Sequence, residues 1–533
     1  MNKQLLGLSI AALIGLAACS SDGDNGKDGS NGTDGETGTH GKQGKDWTAV
    51  NQWYIDGQAR VTKASTLSVN NQAGSAKNVI LFVGDGMGVS TVTAARILEG
   101  QLKGKTGEEN ALSFESLPYL GLAKTYNVDG QTPDSAGTMT AMITGVKTDV
   151  GVLSQAEGVK RGECASTQGQ NLVTALELAA MAGLSTGVVS TARITHATPA
   201  ATYAHAPERN WESDVDLSAE ALANGCKDIA SQLIDFNFGH GLNVVMGGGR
   251  RAFIPNTVTD PEGKAGKRAD KRDLTDEWLT KYPRSAYVTD RDSFLTLDPS
   301  STDHALGLFN SSHMDYDYDR TTSGVTGEPS LAEMTAKSID ILKKNDKGFV
   351  LIIEAGRIDH AHHAGNAARA LHDTIALSEA VRVALEKTSS DETLLMVTAD
   401  HSHVFTIAGY PTRGNPILGL VKGNGADGQP ALTHATDNNG LPYTTVGYAN
   451  GKGYANSASG SRVDLNYVDT QHADFDQEAL IPLSSETHAG EDVAIFASGP
   501  GSHLVQGTVE QNHIFHVMNH AASLVGKAEA MQP

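Results

Sequence analysis

The sequence predicts an α/β protein: a three-layer sandwich whose central, mostly parallel sheet is covered by helices on both faces, with a smaller subdomain inserted late in the chain. Three observations predict it. Apolar runs of strand length, bounded by Gly or polar residues, occupy positions 79–83, 187–189, 244–246, 349–353, 394–397 and 493–496. Helical patterns alternate with these runs, and strands that are apolar on both sides belong in a sheet buried on both faces. Between about 409 and 481 the pattern gives way to a stretch rich in Gly, Asn and Asp with scattered aromatics, too long for a simple loop in a compact domain. A second polar stretch, 257–273, is charge-rich and reads as a surface excursion.

The chain opens with Met-Asn-Lys, an apolar run over 5–18 and Cys19, the pattern of an export signal with a small-residue cleavage site. Leu16-Ala17-Ala18-Cys19 resembles a bacterial lipobox, which implies cleavage before Cys19 and lipidation of that thiol; an ordinary signal peptide that happens to contain a Cys is the alternative. On either reading the mature protein is exported, and on the first it is lipid-anchored in the bacterial cell envelope. From Gly23 to Gly44 a glycine recurs every third residue, the period of a collagen triple helix. No proline fills the intervening positions, so 19–46 is expected to be a flexible polar tether ahead of a folded body over 47–533.

Lys and Arg number 41 and Asp and Glu 62, giving a net charge of −21 with no basic block. That balance argues against nucleic-acid binding through phosphate contacts. It also demands strong local positive charge wherever an anion is to be held. Beyond Cys19 the only cysteines are Cys164 and Cys226. In an oxidising compartment the two suggest a disulfide, with two free core thiols as the alternative.

In open parallel sheets ligands bind beyond the carboxyl ends of the strands, so the residues after each run carry the chemistry. The run 79–83 is followed by Gly84-Asp85-Gly86, 349–353 by Glu354, and 394–399 by Asp400-His401. Three strands thus deliver metal-ligand side chains to one edge. If a helix begins near Asp359, Asp359 and His363 lie four apart on one face, the spacing with which two side chains grip one ion, while His362 points elsewhere. Solvated helix-face histidines are the bland alternative. Carboxylate with imidazole suits Zn²⁺ better than Ca²⁺ or Mg²⁺. Asp400-His401-Ser402-His403 offers a second pair, and His488 stands just before the 493–496 run. His513, His516 and His520 share a helix face without carboxylates and read as packing or surface.

These ligands suffice for two zinc-like ions and one oxygen-rich site, and paired ions about 4 Å apart are the usual clamp for phosphoryl displacement. Asp134 and Ser135 sit at the mouth of a small-residue helix, where capping is the ordinary role. Direct metal coordination would let Ser135 act as a nucleophile with no Gly-x-Ser-x-Gly elbow in view. The stretch Gly100 to Thr106 mimics a P-loop but has one spacer too few, and Gly247-Gly-Gly-Arg-Arg251 reads as a strand-to-loop turn.

Several stretches in order resemble the alkaline phosphatase family, in its animal-like and marine bacterial branch: Gly84-Asp85-Gly86-Met87-Gly88, Pro133-Asp134-Ser135-Ala136-Gly137-Thr138, Thr195-His196 through His205, Arg209-Asn210-Trp211, Glu354 through His360, Thr398 through Val404 and Glu486 through Asp492. The resemblance runs from about 78 to 525. It implies a first zinc site of Asp359, His363 and His488, a second of Asp85, Ser135, Asp400 and His401, and a magnesium site of Asp85, Thr198 and Glu354. It further implies that Arg209 grips phosphate, that Asp134, His196 and His360 contact substrate, phosphate or water, and that phosphate monoesters are hydrolysed through a phosphoserine at Ser135.

His196 and His360 replace the Asp and Lys of some bacterial members, which leaves the third ion open among magnesium, zinc and cobalt. The 409–481 insertion resembles the crown subdomain that shapes a dimer interface in this branch, and members are usually homodimers. Cys164 and Cys226 occupy positions that are disulfide-bonded in relatives. Two rival readings remain. A phosphodiesterase or sulfatase of the same superfamily would carry a Thr nucleophile or a modified Cys or Ser, so Ser135 with Arg209 favours monoesters. A non-catalytic, lipid-anchored metal-binding surface protein would have lost a ligand or the nucleophile, and none is missing.

Overall fold

A computed structural model describes residues 71–322, 327–453 and 462–531 continuously, with scattered positions between 52 and 67. The predicted export signal, Cys19 and the glycine-repeat tether lie outside the described residues. The chain divides into two units, Met1–Thr66 and Leu67–Pro533. In the first, Gln52 donates to Asp56 at 2.8 Å. The second holds the sheet and the candidate site.

In chain order the strands are β1 (Asn78–Gly84), β2 (Tyr119–Lys124), β3 (Ser185–Arg193), β4 (Val244–Gly248), β5 (Ser285–Val288), β6 (His304–Leu308), β7 (Phe349–Ala355), β8 (Thr393–Ala399), β9 (Ser402–His403), β10 (Phe405–Ile407), β11 (Val446–Gly451), β12 (Ala479–Pro482), β13 (His488–Ala489), β14 (Val493–Ser498) and β15 (Gly507–Glu510). Ten form one sheet in the order β15-β2-β14-β8-β1-β7-β3-β4-β6-β5. Every residue of β1, β7 and β8 is buried, which is why these runs are apolar throughout instead of alternating.

All six predicted runs lie in this sheet, but the run at 493–496 enters it reversed. Strand β14 pairs antiparallel with both β8 and β2, while β1 is parallel to β7 and β8. Strands β2, β5, β6 and β15 are additional to the predicted runs. Strand β2 alternates exposed and buried residues, and β5 and β15 are short strands on the two edges.

Seven helices frame the sheet and the site: α1 (Val89–Leu102), α2 (Ser135–Thr144), α3 (Ala197–Ala200), α4 (Leu331–Leu342), α5 (Arg357–His363), α6 (Ala367–Lys387) and α7 (His513–Ala522). Helix α4 starts in a capping box of Ser330 and Glu333 and buries Leu331, Met334, Ile339 and Leu342, one face at helical spacing. Helices α1 and α4 each pack on α6, and α4 and α6 lie against the central strands. Helices α2 and α7 form a separate packed pair, with α7 against β1. A sheet between two helical groups is the layered α/β arrangement.

Inside 409–481, β11 pairs antiparallel with β10, which precedes that stretch, and parallel with β12 at its end, in a three-stranded sheet separate from the large one. Tyr410, Leu432 and Tyr467 there are 93%, 97% and 95% exposed. The 257–273 stretch departs from the expected surface excursion where Asp260, Gly266 and Arg268 are buried. Arg268 is fully buried and bonded to Asp228 and Asp270, because a charge taken from water must meet opposite charge and acceptors.

Cys164 and Cys226 form a disulfide with 62 residues of sequence separation, packed with Trp211 and Ala221. Replacing both by Ser is expected to cost about 4 kcal/mol in the chain-entropy model. Chemical denaturation under oxidising conditions checks this, and an unshifted midpoint would refute it.

Candidate active site

The register of the three central strands builds the site. Val83 of β1 stands beside Glu354 of β7 and Thr398 of β8, and Gly84 beside Ala355 and Ala399. The chain therefore leaves β1 at Asp85 and β8 at Asp400 on the level of Glu354. All three carboxylates are buried. Gly86 has φ +70, and a Cβ there would lie 2.3 Å from His403 Nε2; one on Gly88 would lie 2.1 Å from Ser402 Oγ. Those two glycines let the β1–α1 turn press against the 400–403 segment.

Helix α2 begins at Ser135, but Asp134 caps it, accepting from Gly137 N at 3.1 Å. The Ser135 hydroxyl is thus released from capping duty, and its Oγ lies 3.2 Å from His401 Nε2. His401 Nε2 is also 3.4 Å from Asp85 Oδ1 and 3.3 Å from Asp400 Oδ2, and Gly86 N donates to Asp400 Oδ1 at 3.0 Å.

Three groups of side chains present ligand atoms close enough to share an ion. The first is Asp359, His363, His403 and His488. His363 donates from Nδ1 to the Glu486 carbonyl at 2.6 Å and His488 from Nδ1 to the Pro133 carbonyl at 2.8 Å. A carbonyl can only accept, so both rings keep Nε2 free to bind a metal. The second group is Asp85, Asp359 and His401, and the third Asp85, His196 and Glu354. Helix α5 starts at Arg357 and carries Asp359 and His363 one turn apart. His362 turns away to Thr91 and Tyr448.

The donor set fits cations. Both Asp85 carboxylate oxygens, the Thr198 hydroxyl and Glu354 Oε1 are buried with no hydrogen-bond partner among the described residues, a costly state for polar atoms unless an ion meets them. Burial, reinforced by Asp400, Asp359 and Glu354, drives the Asp85 carboxyl well above the usual carboxylate range. Burial likewise raises Asp400 and pushes Glu354 up to about 7. Burial would raise Asp359 too, but the imidazoles of His363, His403 and His488 hold it well below the ordinary range.

These directions predict how chelated protein behaves. A carboxyl whose folded pKa is raised contributes stability below its unfolded pKa and loses it as pH rises through the folded value. Chelated protein should therefore lose melting temperature as pH rises from about 6.5, where the buried neutral histidines no longer give an opposing slope, through about 7, as Glu354 and its neighbours ionise against one another. Restoring divalent cation should flatten that slope, and equal slopes with and without cation would contradict it.

On the far side of Ser135, Arg209 Nη1 donates to Asp134 Oδ2 at 2.9 Å and Nη2 lies 3.5 Å from His196 Nε2. Burial opposes the Arg209 charge, but Asp134 more than offsets it, so the pKa is raised. Burial, with Arg209 next, drives His196 well below its ordinary value, and burial with His313 does the same to His360. His196 and His360 lie 5.2 Å apart, ring centre to ring centre. Asp85, Asp134, Ser135, His196, Arg209, Glu354, Asp359, His360, His363, Asp400, His401 and His488 thus lie in one region at the carboxyl edge of the sheet.

Two residues of that region have no role assigned from sequence. His403 lies 2.9 Å from Asp359 Oδ1 and 2.6 Å from Glu486 Oε2. Burial would lower its pKa, yet those carboxylates lift it to about 10. The available signal was alternation: His403 is two residues from His401, and Glu486 two from His488. Antiparallel pairing of β9 with β13 sets His403 opposite His488, which no local pattern reveals.

A family model described as alkaline phosphatase matches residues 76–524. The human tissue-nonspecific isozyme of alkaline phosphatase is 46% identical over 457 residues, covering 84% of each chain. An alkaline phosphatase of Gadus morhua is 42% identical over 481 residues, covering 89% of this chain and 96% of that one. The Thermus thermophilus alkaline phosphatase structure superposes with a TM-score of 0.60 at 24% identity, covering 88% of this chain and 98% of that one. For the enzyme from the Antarctic bacterium TAB5 the values are 0.56 and 22%, with 84% and 99% covered. The structures support the common fold, and the match to the family model together with the two sequence relatives carries the assignment: this chain belongs to the alkaline phosphatase family.

Proposed function

We propose that the chain hydrolyses phosphate monoesters to an alcohol and inorganic phosphate, with Ser135 as nucleophile. One observation carries the reading: a buried serine hydroxyl, free of capping duty, stands 3.2 Å from His401 at the edge of the carboxylate and imidazole groups. The first site would hold zinc on Asp359, His363 and His488, and the second zinc on Asp85, Asp400, His401 and Ser135. The third would take magnesium, or another divalent ion, on Asp85, Thr198 and Glu354, with the His196 imidazole nearby. Such cations, when bound, favour the serine alkoxide and neutralise charge on the attacking and leaving oxygens.

The chain's own groups do the rest. Helix α2 aims its amino-terminal backbone amides at the region of Ser135, which favours an anion there. Asp134, held by Gly137 N and Gly151 N, steadies the Arg209 guanidinium, whose planar fork matches two phosphate oxygens. Ser135 Oγ attacks phosphorus in line and the alcohol departs, leaving a phosphoserine. Water then cleaves that ester, releasing phosphate and regenerating the hydroxyl.

Export, lipid anchoring in the bacterial cell envelope through Cys19 and assembly as a homodimer through the 409–481 subdomain belong to the same proposal. The exposed Tyr410, Leu432 and Tyr467 support a partner on that subdomain. The test compares turnover of a nitrophenyl phosphate with that of its diester. The monoester is expected to be much the faster substrate, and a faster diester moves the chain to the phosphodiesterase reading.

A further inference from the structure

We infer that strand β11 of the inserted subdomain positions the first metal centre, with Tyr448 and Asn450 as its two positioning residues. The inference rests on reading Asp359, His363 and His488 as that centre. Residues two apart on a strand share one face, and in β11 Tyr448 is buried and Asn450 half-buried while Ala449 between them is exposed. Both inward side chains end on segments that carry ligands.

The Tyr448 hydroxyl lies 2.8 Å from His362 Nδ1, and His362 Nε2 lies 3.0 Å from Thr91 Oγ1 of helix α1. His362 is fully buried and stands between Asp359 and His363 on helix α5. A ring pinned at both nitrogens cannot turn without turning that helix. Asn450 makes two bonds with Thr487, the residue before His488: Nδ2 donates to Thr487 Oγ1, and Thr487 N donates to Oδ1, both at 3.0 Å. Between them the Ala449 N–H donates to the Val404 carbonyl at 2.9 Å, next to His403.

One short strand is thus bonded to all three segments that supply the first group, segments far apart in sequence. A single rigid element touching each of them fixes their mutual spacing, which a tetrahedral ion needs to within a few tenths of an ångström. Through these bonds the insertion sets the separation of the site's ligands. Partners one step removed from metal ligands typically contribute 10–100-fold in affinity.

The test uses the full chain. Tyr448→Phe deletes one hydroxyl and keeps the ring packed on His362 and Phe405; Asn450→Ala removes both Thr487 bonds; Asn438→Ala, on an exposed residue of the same subdomain, is the control. Zinc affinity is read by competition with a chromophoric chelator, and melting is followed on chelated protein. The expected result is about 10-fold or greater weakening of one zinc in the first two variants, larger than any fall in chelated-state melting accounts for, with the control like wild type. Undiminished zinc affinity in both variants overturns the inference. So does a loss of affinity that merely tracks a loss of chelated-state melting, since that marks a structural role alone. Failure of the wild-type chain to take up any zinc overturns the metal-centre reading itself, and is distinct from both.

Discussion

Ser135→Ala is expected to lower kcat for a phosphate monoester by roughly 10⁴-fold or more, the scale on which loss of a covalent nucleophile acts. Folding and metal content should survive. Asp134, not Ser135, caps helix α2, and alanine is the best helix former. The carboxylates and imidazoles keep their positions because the strand register sets them. Residual turnover from positioning and charge alone should remain above the rate in water. Rapid-quench labelling supplies the second readout: wild type yields a phosphoserine at residue 135, and the variant yields none. A variant retaining a large fraction of wild-type kcat would show that Ser135 is a bystander, whatever its distance from His401.

Asp359→Asn ranks next, because Asp359 belongs to two of the three ligand groups. Its Oδ1 lies 2.9 Å from His403 Nε2, 3.2 Å from His363 Nε2 and 3.3 Å from His488 Nε2. The amide preserves shape and removes the charge around which three imidazoles are arranged. The expected result is loss of at least one metal ion per chain by elemental analysis, with kcat down about 10³-fold, equivalent to roughly 4 kcal/mol of barrier. A variant that keeps full metal content with near-normal kcat would place the first centre elsewhere. High zinc should recover part of the loss, because His363 and His488 still turn Nε2 inward under the Glu486 and Pro133 carbonyls.

Much of the site is legible in the chain alone. Three of the six apolar runs, those of β1, β7 and β8, are followed directly by ligands, so Asp85, Glu354, Asp400 and His401 follow from locating the strands and knowing where open sheets bind ligands. Asp359 and His363 follow from helical spacing. Arg209, Thr198, His196 and His360 are reached only through the family resemblance, since none stands at a strand end or in a distinctive local pattern. The antiparallel entry of β14 is not legible, because an apolar strand reads alike in either direction. Arg268 reads like its charged neighbours, because its burial depends on Asp228, distant in sequence.

By itself the sequence determined which residue types stand at the strand ends, the pairing of Asp359 with His363 and the serine at a helix mouth, since these depend on neighbours within one turn or one strand. The tertiary structure alone decided which nitrogen His363 and His488 turn inward, that His403 joins the first group with Glu486 behind it, and that β11 reaches three ligand segments. Those features depend on hydrogen bonds between residues far apart in sequence, and only the tertiary fold brings such partners within 3 Å of one another.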